Sequence, residues 1–272
     1  LINKYDPQFI IFLDCGSSSH TSIQYIKSKN INSLILDHHN TFMPYPSSDV
    51  FINPKKDLDY NEYDHLCTTF LTYMFIDLYV RLDKSNYILK DDQIYVLLAT
   101  VADVMPMRGI NKILAINVLK NFDINRNFIF KNFFKILDIK KKLEIDDLGY
   151  KIAPLINSAG RLENANQIVK MFTTKSKKEI NKIISKIFNL NHKRKLIEKR
   201  VLDSFNFENF YNQKGVLFIY SSSIHEGIIG IVAARLKDKF NKPVVIISIE
   251  GDMGKASARS IVGFDIGSVI IA

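Results

Sequence analysis

Three carboxylates and two imidazoles stand where apolar segments end. Asp37-His38-His39 closes the run Leu34-Ile35-Leu36, and Asp14 closes a second run, Phe9-Ile10-Ile11-Phe12-Leu13, ahead of Cys15 and Gly16. A third acid, Asp103, follows the periodic apolar residues Ile94, Leu97, Leu98 and Val101 and precedes Pro106. Carboxylate oxygens with one imidazole suit Mn²⁺ or Mg²⁺ better than a thiolate-bound zinc, and the histidine tilts the choice toward Mn²⁺. Two such ions, about 3.5–4 Å apart, activate a water and stabilise both oxygens of an in-line attack on phosphorus, so the chemistry in view is phosphoester hydrolysis. Taken singly, Asp14 is an ordinary turn former and Asp103 an ordinary helix-end charge. Two adjacent imidazoles after an apolar strand have no packing role to fill, and that triplet carries the functional reading.

The elements behind these residues follow from their pattern. Short apolar, β-prone runs bounded by turn residues read as buried parallel strands, which deliver site residues at their carboxyl ends. The 23 residues from Asp14 to Asp37 leave room for one helix and two turns, with Ser17-Ser18-Ser19 available to cap it and Ile23 and Ile26 on its inner face. A right-handed βαβ unit then brings both acids to one edge. Pro44, Pro46, Ser47, Ser48 and Pro54 read as a long surface loop. Helical periodicity returns over Leu66–Leu82, and a further helix starts at Asp91-Asp92 and runs to Asp103. From Lys112 to Gly149 the pattern is of short helical segments with basic residues between them and no distinct chemistry.

Two later stretches could hold an anion. Asn157-Ser158-Ala159-Gly160-Arg161-Leu162 sets small residues and an Arg at the expected start of a helix through Ile168 and Phe172. Backbone N–H groups and a guanidinium fork can converge there on one phosphate, although a surface salt bridge fits the spacing equally. Gly254-Lys255-Ala256-Ser257-Ala258-Arg259-Ser260 arranges small residues, hydroxyls and an Arg around an apparent strand. Between them a long helix is expected over roughly 177–205, with Ile180, Ile183, Ile184, Ile187, Leu190, Ile197 and Val201 in one stripe. Its basic stretch, His192 to Lys195 with Lys199 and Arg200, reads first as a solvated face and second as a guide for a nucleic-acid backbone. A fresh α/β unit then begins at strand Val216–Tyr220 and passes through His225-Glu226-Gly227 into a helix ending near Phe240 and a strand Val244–Ser248.

Composition bounds the class. A chain of 272 residues, 47% hydrophobic and 24% charged, is globular and has room for two domains. Its net charge of +9, from 37 basic and 28 acidic residues, points toward a polyanionic partner, but richness in Asn, Ile and Lys is also what coding sequence poor in G and C produces. Cys15 and Cys67 lack metal spacing and make no disulfide framework, which fits a reducing compartment. There is no apolar run of membrane length and no signal-peptide layout at the first residues. The leading Leu and the apolar last residues carry the expectation that both ends are cut from a longer protein.

Asp14-Cys15-Gly16, Asp37-His38-His39, Val101-Ala102-Asp103, Asn157 to Leu162, His225 to Ile231 and Ser257-Ala258-Arg259-Ser260, in this order, resemble the RecJ exonucleases of the DHH phosphoesterase superfamily. The resemblance implies an α/β fold, a parallel-sheet DHH domain over 1–175 joined by a helix over 176–208 to a smaller DHH-associated α/β domain over 209–272. It implies that Asp14 bridges two metals, that His38 and Asp103 ligate one of them, that His39 faces the scissile phosphate and that Asp37 supports the histidines. Arg161 would hold a substrate phosphate, with His225, Gly227, Ser257 and Arg259 lining the path of the strand. The implied activity is metal-dependent 5′→3′ hydrolysis of single-stranded DNA in cytoplasmic repair and recombination, with Mn²⁺ or Mg²⁺ as cofactor. Single-stranded DNA is the implied partner, and a helicase and a single-strand-binding protein are further candidates.

The sequence departs from that family pattern in three places. The thirteen residues before Asp14 hold no Asp-x-Asp motif, Asp6 being their one acid; Ile224 stands where Trp is usual; and the given residues end before the point where the family usually carries an oligonucleotide-binding fold. The expectation is therefore incomplete metal binding and weak or absent nuclease activity in the 272 residues alone. A phosphodiesterase acting on oligonucleotides or cyclic dinucleotides, and a non-catalytic DNA-binding remnant, are the competing readings.

Overall fold

The computed structural model describes residues 2–56, 61–84 and 89–271. Packing divides the chain into one unit of Leu1–Asp123 with Lys141–Ala153 and another of Ile124–Lys140 with Pro154–Ala272.

The first unit opens with a short helix α1 (Ile2–Tyr5), then β1 (Phe9–Leu13), α2 (His20–Ser28), β2 (Asn32–Leu36) and β3 (Val50–Ile52). The three strands form a parallel sheet in the order β1-β2-β3, with Leu13 opposite Leu36 and Leu36 opposite Ile52. Side-chain alternation splits the sheet into two faces. Ile10, Phe12, Ile35 and Phe51 pack with Ile23 and Ile26 of α2 into a small core. On the other face Leu34 and Leu36 are buried, and α3 (Thr68–Leu82) packs against β2. The central strand is thus covered on both sides, which is why it reads as an unbroken apolar run. The edge strand β1 leaves Phe9, Ile11 and Leu13 about half exposed. Helices α4 (Gln93–Ala102) and α5 (Gly109–Asn121) follow, α4 packing on α3 and α5 on α4.

The stretch expected to be one long surface loop contains β3. Three residues are too few to show a period, so proline and serine on both sides of Val50–Ile52 dominate the local signal.

In the second unit α6 (Phe128–Ile136), α7 (Ala153–Leu162, from Pro154 on) and α8 (Asn166–Thr173) precede the long α9 (Lys177–Asp203), against which α6 and α8 pack. The Ser176 side chain caps α9 by accepting from the Glu179 N–H. After α10 (Phe207–Asn212), β4 (Leu217–Ser221) pairs parallel with β5 (Val244–Glu250), and β5 pairs antiparallel with β6 (Met253–Arg259). Between β4 and β5 lies α11 (Ile229–Phe240), whose Val232, Ala233 and Leu236 are fully buried with Leu217, Val244 and Ile246. A last helix, α12 (Ile266–Ile271), follows β6. This is the expected α/β architecture, with a parallel sheet in one unit and a mixed one in the other. No helix among the described residues is long and apolar enough to cross a membrane.

Two expectations change here. Gly160-Arg161 lies in the last turn of α7, not at the start of a helix, because Leu155 and Ala159 are buried at helical spacing and carry the helix through the small residues. The basic stretch of α9 is not uniformly solvated, since Arg194 is only 8% exposed.

Candidate active site

Asp14 and Asp37 each stand one residue beyond a strand, and the sheet ladder reaches past the strands to hold them. The Asp14 N–H donates to the Leu36 carbonyl at 3.0 Å and the Asp37 N–H to the Ile52 carbonyl at 3.1 Å. Asp14 adopts φ +62°, a left-handed conformation that Asp tolerates better than most residues. Gly16 follows at φ +111°, where a Cβ would meet Ile35 Cγ2 at 3.1 Å, so the turn leaving β1 is closed tightly over β2.

The buried His38 imidazole joins three parts of the unit. Its Nε2 lies 3.3 Å from Asp14 Oδ1 and 3.5 Å from Asp103 Oδ2. Asp103 is aimed by the end of α4, where the Val104 N–H donates to the Val101 carbonyl and the Met105 N–H to the Thr100 carbonyl. Ligand atoms of Asp14, His38 and His39 also lie within 4.8 Å of one another. The structure therefore brings Asp14, His38 and Asp103 around one imidazole nitrogen and adds His39 within ligand reach.

The charges respond to this crowding. The bond to His38 holds the Asp14 carboxyl below the usual carboxylate range, and the same contact raises His38. Asp103 is pushed up, first by burial and also by the negative charge of Asp14, with His38 opposing. Two carboxylates that repel each other across one imidazole form a donor set that a divalent cation would relieve. His38 Nδ1 is buried with no hydrogen-bond partner among the described residues.

Asp37 works from beneath. One carboxylate oxygen accepts from the backbone N–H groups of His38 and His39 and pairs with His39 Nδ1 at 2.7 Å, while the other accepts from the Ser17 N–H. Burial opposes ionisation of this carboxyl, yet the bonds from Ser17 and His39 bring it to about 2. Asn53 is a site residue the sequence reading missed. Its buried amide donates to Ser17 Oγ and to the His39 carbonyl, both at 2.9 Å, tying β3 to the imidazole loop. The signal was present, since a polar residue directly after an apolar strand is the same pattern that marks Asp14 and Asp37.

The second unit assembles the other group. Arg161 Nη1 donates to the Gly227 carbonyl at 3.3 Å, and the Gly227 N–H donates to His225 Nδ1 at 3.0 Å. Beside Gly230, a Cβ would meet both Ser257 Oγ and Arg259 Nη2 at 3.1 Å, and Arg259 Nη1 donates to Ser257 Oγ at 3.2 Å. Burial pushes the Arg161 guanidinium down, and Arg194 and Arg259 add to this, with Glu198 opposing. Guanidinium groups gathered around glycines that admit a close approach have the chemistry to hold a phosphate. Gly230 and Arg194 were not singled out as site residues from the sequence.

Comparison with known proteins shows what the chain is similar to. Residues 213–272 match the DHHA1 domain model. The chain is 28% identical to the single-stranded-DNA-specific exonuclease RecJ of Salmonella typhimurium over 94% of its length and 48% of the relative's. It is 25% identical to the Bacillus subtilis RecJ over 94% of its length and 33% of the relative's. It thus spans a third to a half of the curated relatives it matches. The fold superposes on a crystal structure of exonuclease RecJ bound to manganese with a TM-score of 0.80 at 20% identity, covering 97% of this chain and 66% of that one. A crystal structure of RecJ from Thermus thermophilus in complex with Mg²⁺ gives 0.67 at 16% identity, covering 97% of this chain and 43% of that one. Residues 213–272 are thus similar to the DHHA1 domain, and the chain as a whole is similar in sequence and in fold to RecJ exonucleases.

Proposed function

We propose that this chain is the catalytic part of a metal-dependent 5′→3′ exonuclease that hydrolyses phosphodiesters of single-stranded DNA in repair and recombination. The observation that carries the reading is the meeting of Asp14 and Asp103, from separate elements, on the same nitrogen of His38. Asp14, His38 and Asp103 are the proposed ligands, and His39 joins them within reach. A bound Mn²⁺ or Mg²⁺ pair would supply an activated water and offset charge on the phosphate oxygens.

The chain's own residues do the rest. With Nδ1 held by Asp37, His39 presents Nε2 from a ring that is 60% exposed, in position to meet a phosphate oxygen. Asp37 is a positioning residue: it keeps the imidazole loop in place and its charge favours the proton on His39 Nδ1. In the second unit Arg161, Arg259 and Ser257 bind a phosphate of the strand, while Gly227 and His225 shape the turn beside it. The division into a DHH domain over 1–175, a helix over 176–208 and a DHH-associated domain over 209–272 belongs to the same proposal, as do the cytoplasmic setting and helicase and single-strand-binding protein partners.

The test is release of mononucleotides from a 5′-labelled single strand by the chain with Mn²⁺, with Asp14→Asn and His38→Ala beside it. The expected result is weak Mn²⁺-dependent release that both substitutions remove, because no Asp-x-Asp motif completes the donor set of Asp14, His38 and Asp103. Turnover of dinucleotides with no attack on long strands would move the chain to the oligonucleotide phosphodiesterases. Binding of the strand without cleavage would make it a non-catalytic remnant.

A further inference from the structure

A groove of about 340 Å³, lined from α9 and α11, shares Arg194 with the cluster around Arg161. Its floor is built from buried charge. Arg194 donates through Nε to Asn191 Oδ1 at 3.1 Å and through Nη1 to Glu198 Oε2 at 2.9 Å, and the other Glu198 oxygen receives Arg235 Nε at 3.2 Å. Asn191, Arg194 and Glu198 are each 8% exposed. One carboxylate therefore fixes two guanidinium groups, one from the floor of α9 and one from the facing wall on α11.

The rim is cationic. Lys195 and Lys199 stand one helical turn apart on α9, about 5–6 Å between side-chain roots, and both line the groove. Among the described residues neither lysine makes an ion pair. Against the four cationic groups the lining holds two carboxylates, Glu198 and Asp203. Glu198 is already engaged by Arg194 and Arg235, so the surplus positive charge is presented by the lysines and the outer part of Arg235.

The lining also says what is not bound there. Among the described residues that line the groove, Leu202 is the one apolar side chain and none carries an aromatic ring. Small-molecule sites are mostly apolar, and base-stacking sites need rings. A groove with paired lysines and neither feature suits a regularly charged backbone, contacted through its phosphates alone.

We propose that the α9–α11 groove is a second, sequence-independent contact for the sugar-phosphate backbone of a single-stranded nucleic acid, with Lys195 and Lys199 as its phosphate ligands. The proposal rests on the single-strand reading above and concerns binding alone.

The experiment measures binding of a fluorescent oligothymidylate to the full chain in EDTA, as a function of salt, so that cleavage plays no part. Lys195→Gln/Lys199→Gln is compared with wild type and with Lys178→Gln/Lys182→Gln, an exposed pair at the same spacing on α9 outside the groove. Each lost phosphate contact on a single strand lowers the slope of log affinity against log salt by about 0.7, so the groove variant should lose about 1.4 and the control should keep the wild-type slope. Equal slopes in all three proteins, or an equal loss in both variants, overturns the groove while leaving the single-strand reading in place. Failure of the wild type to bind the strand at all overturns both.

Discussion

The carbonyl oxygen of Arg161 lies where a side chain on Gly227 would begin: a Cβ built there would sit 1.8 Å from it. No rotamer change relieves a collision between backbone and Cβ, so Gly227→Ala must displace the turn that carries His225. The expected cost is about 1–3 kcal/mol, the range for overpacking, with weaker oligonucleotide binding. Gly160→Ala is the contrast, because its nearest neighbour outside the helix is the Ala165 Cβ at 3.6 Å. Alanine there should be neutral or stabilise by about 0.5–1 kcal/mol, as in any accommodating helix. Urea denaturation of both variants separates the two outcomes, and equal stability would mean that the close approach is absent in solution.

Asp37 should show itself in acid. Its carboxyl is held at about 2 in the fold against an ordinary value near 3.8. A depressed acid stabilises the fold fully above its unfolded value and loses that contribution as pH falls through the folded one, so the window runs from about 4 down to about 2. The difference corresponds to about 2 kcal/mol. Asp37→Asn also turns an amide toward N–H donors from Ser17, His38 and His39. We expect the variant to be less stable than wild type by at least about 2 kcal/mol at pH 7, with most of the gap closing by about pH 2. A gap independent of pH would point to packing and not charge.

Val104 is a β-branched residue at φ +55° and 86% exposed, next to Asp103. It occupies the left-handed position that ends α4, where glycine or asparagine is the usual choice. Non-glycine residues held there cost of order 1–3 kcal/mol. Val104→Gly should raise stability by about 1 kcal/mol, a shift of a few degrees in thermal unfolding. An unchanged midpoint would show that the conformation carries no strain.

Glu198 joins Arg194 and Arg235, and its side chain is 11% exposed. Glu198→Gln leaves the Arg194 guanidinium buried without its counter-charge, and removal of one member of such a pair costs about 3–5 kcal/mol. The double variant Arg194→Met/Glu198→Leu removes both charges and should recover much of that loss. Chemical denaturation of the two proteins checks this, and a double variant no more stable than the single one would contradict it.

Asp14, Asp37 and the two histidines could be picked out as candidates because each stands at the end of an apolar run. Asp14 and Asp37 end apolar runs, a strand's end is a sheet's edge, and a parallel pair of such strands puts both acids on the same edge whatever else the chain does. The stripe of α9 was equally local, since burial of one helix face imposes a period. Other features depended on packing between segments with no common period. Asp103 reaches His38 because α3 lies on β2 and α4 on α3. Arg194 is buried because Glu198 and Asn191 share its face of α9. Arg161 meets Gly227 at the end of a helix, with the turn after β4 brought to it. Amino-acid type determined which groups could act, because chemistry belongs to the side chain; which of them touch was decided by the tertiary structure, because distance across a fold is set by how its helices and sheets pack.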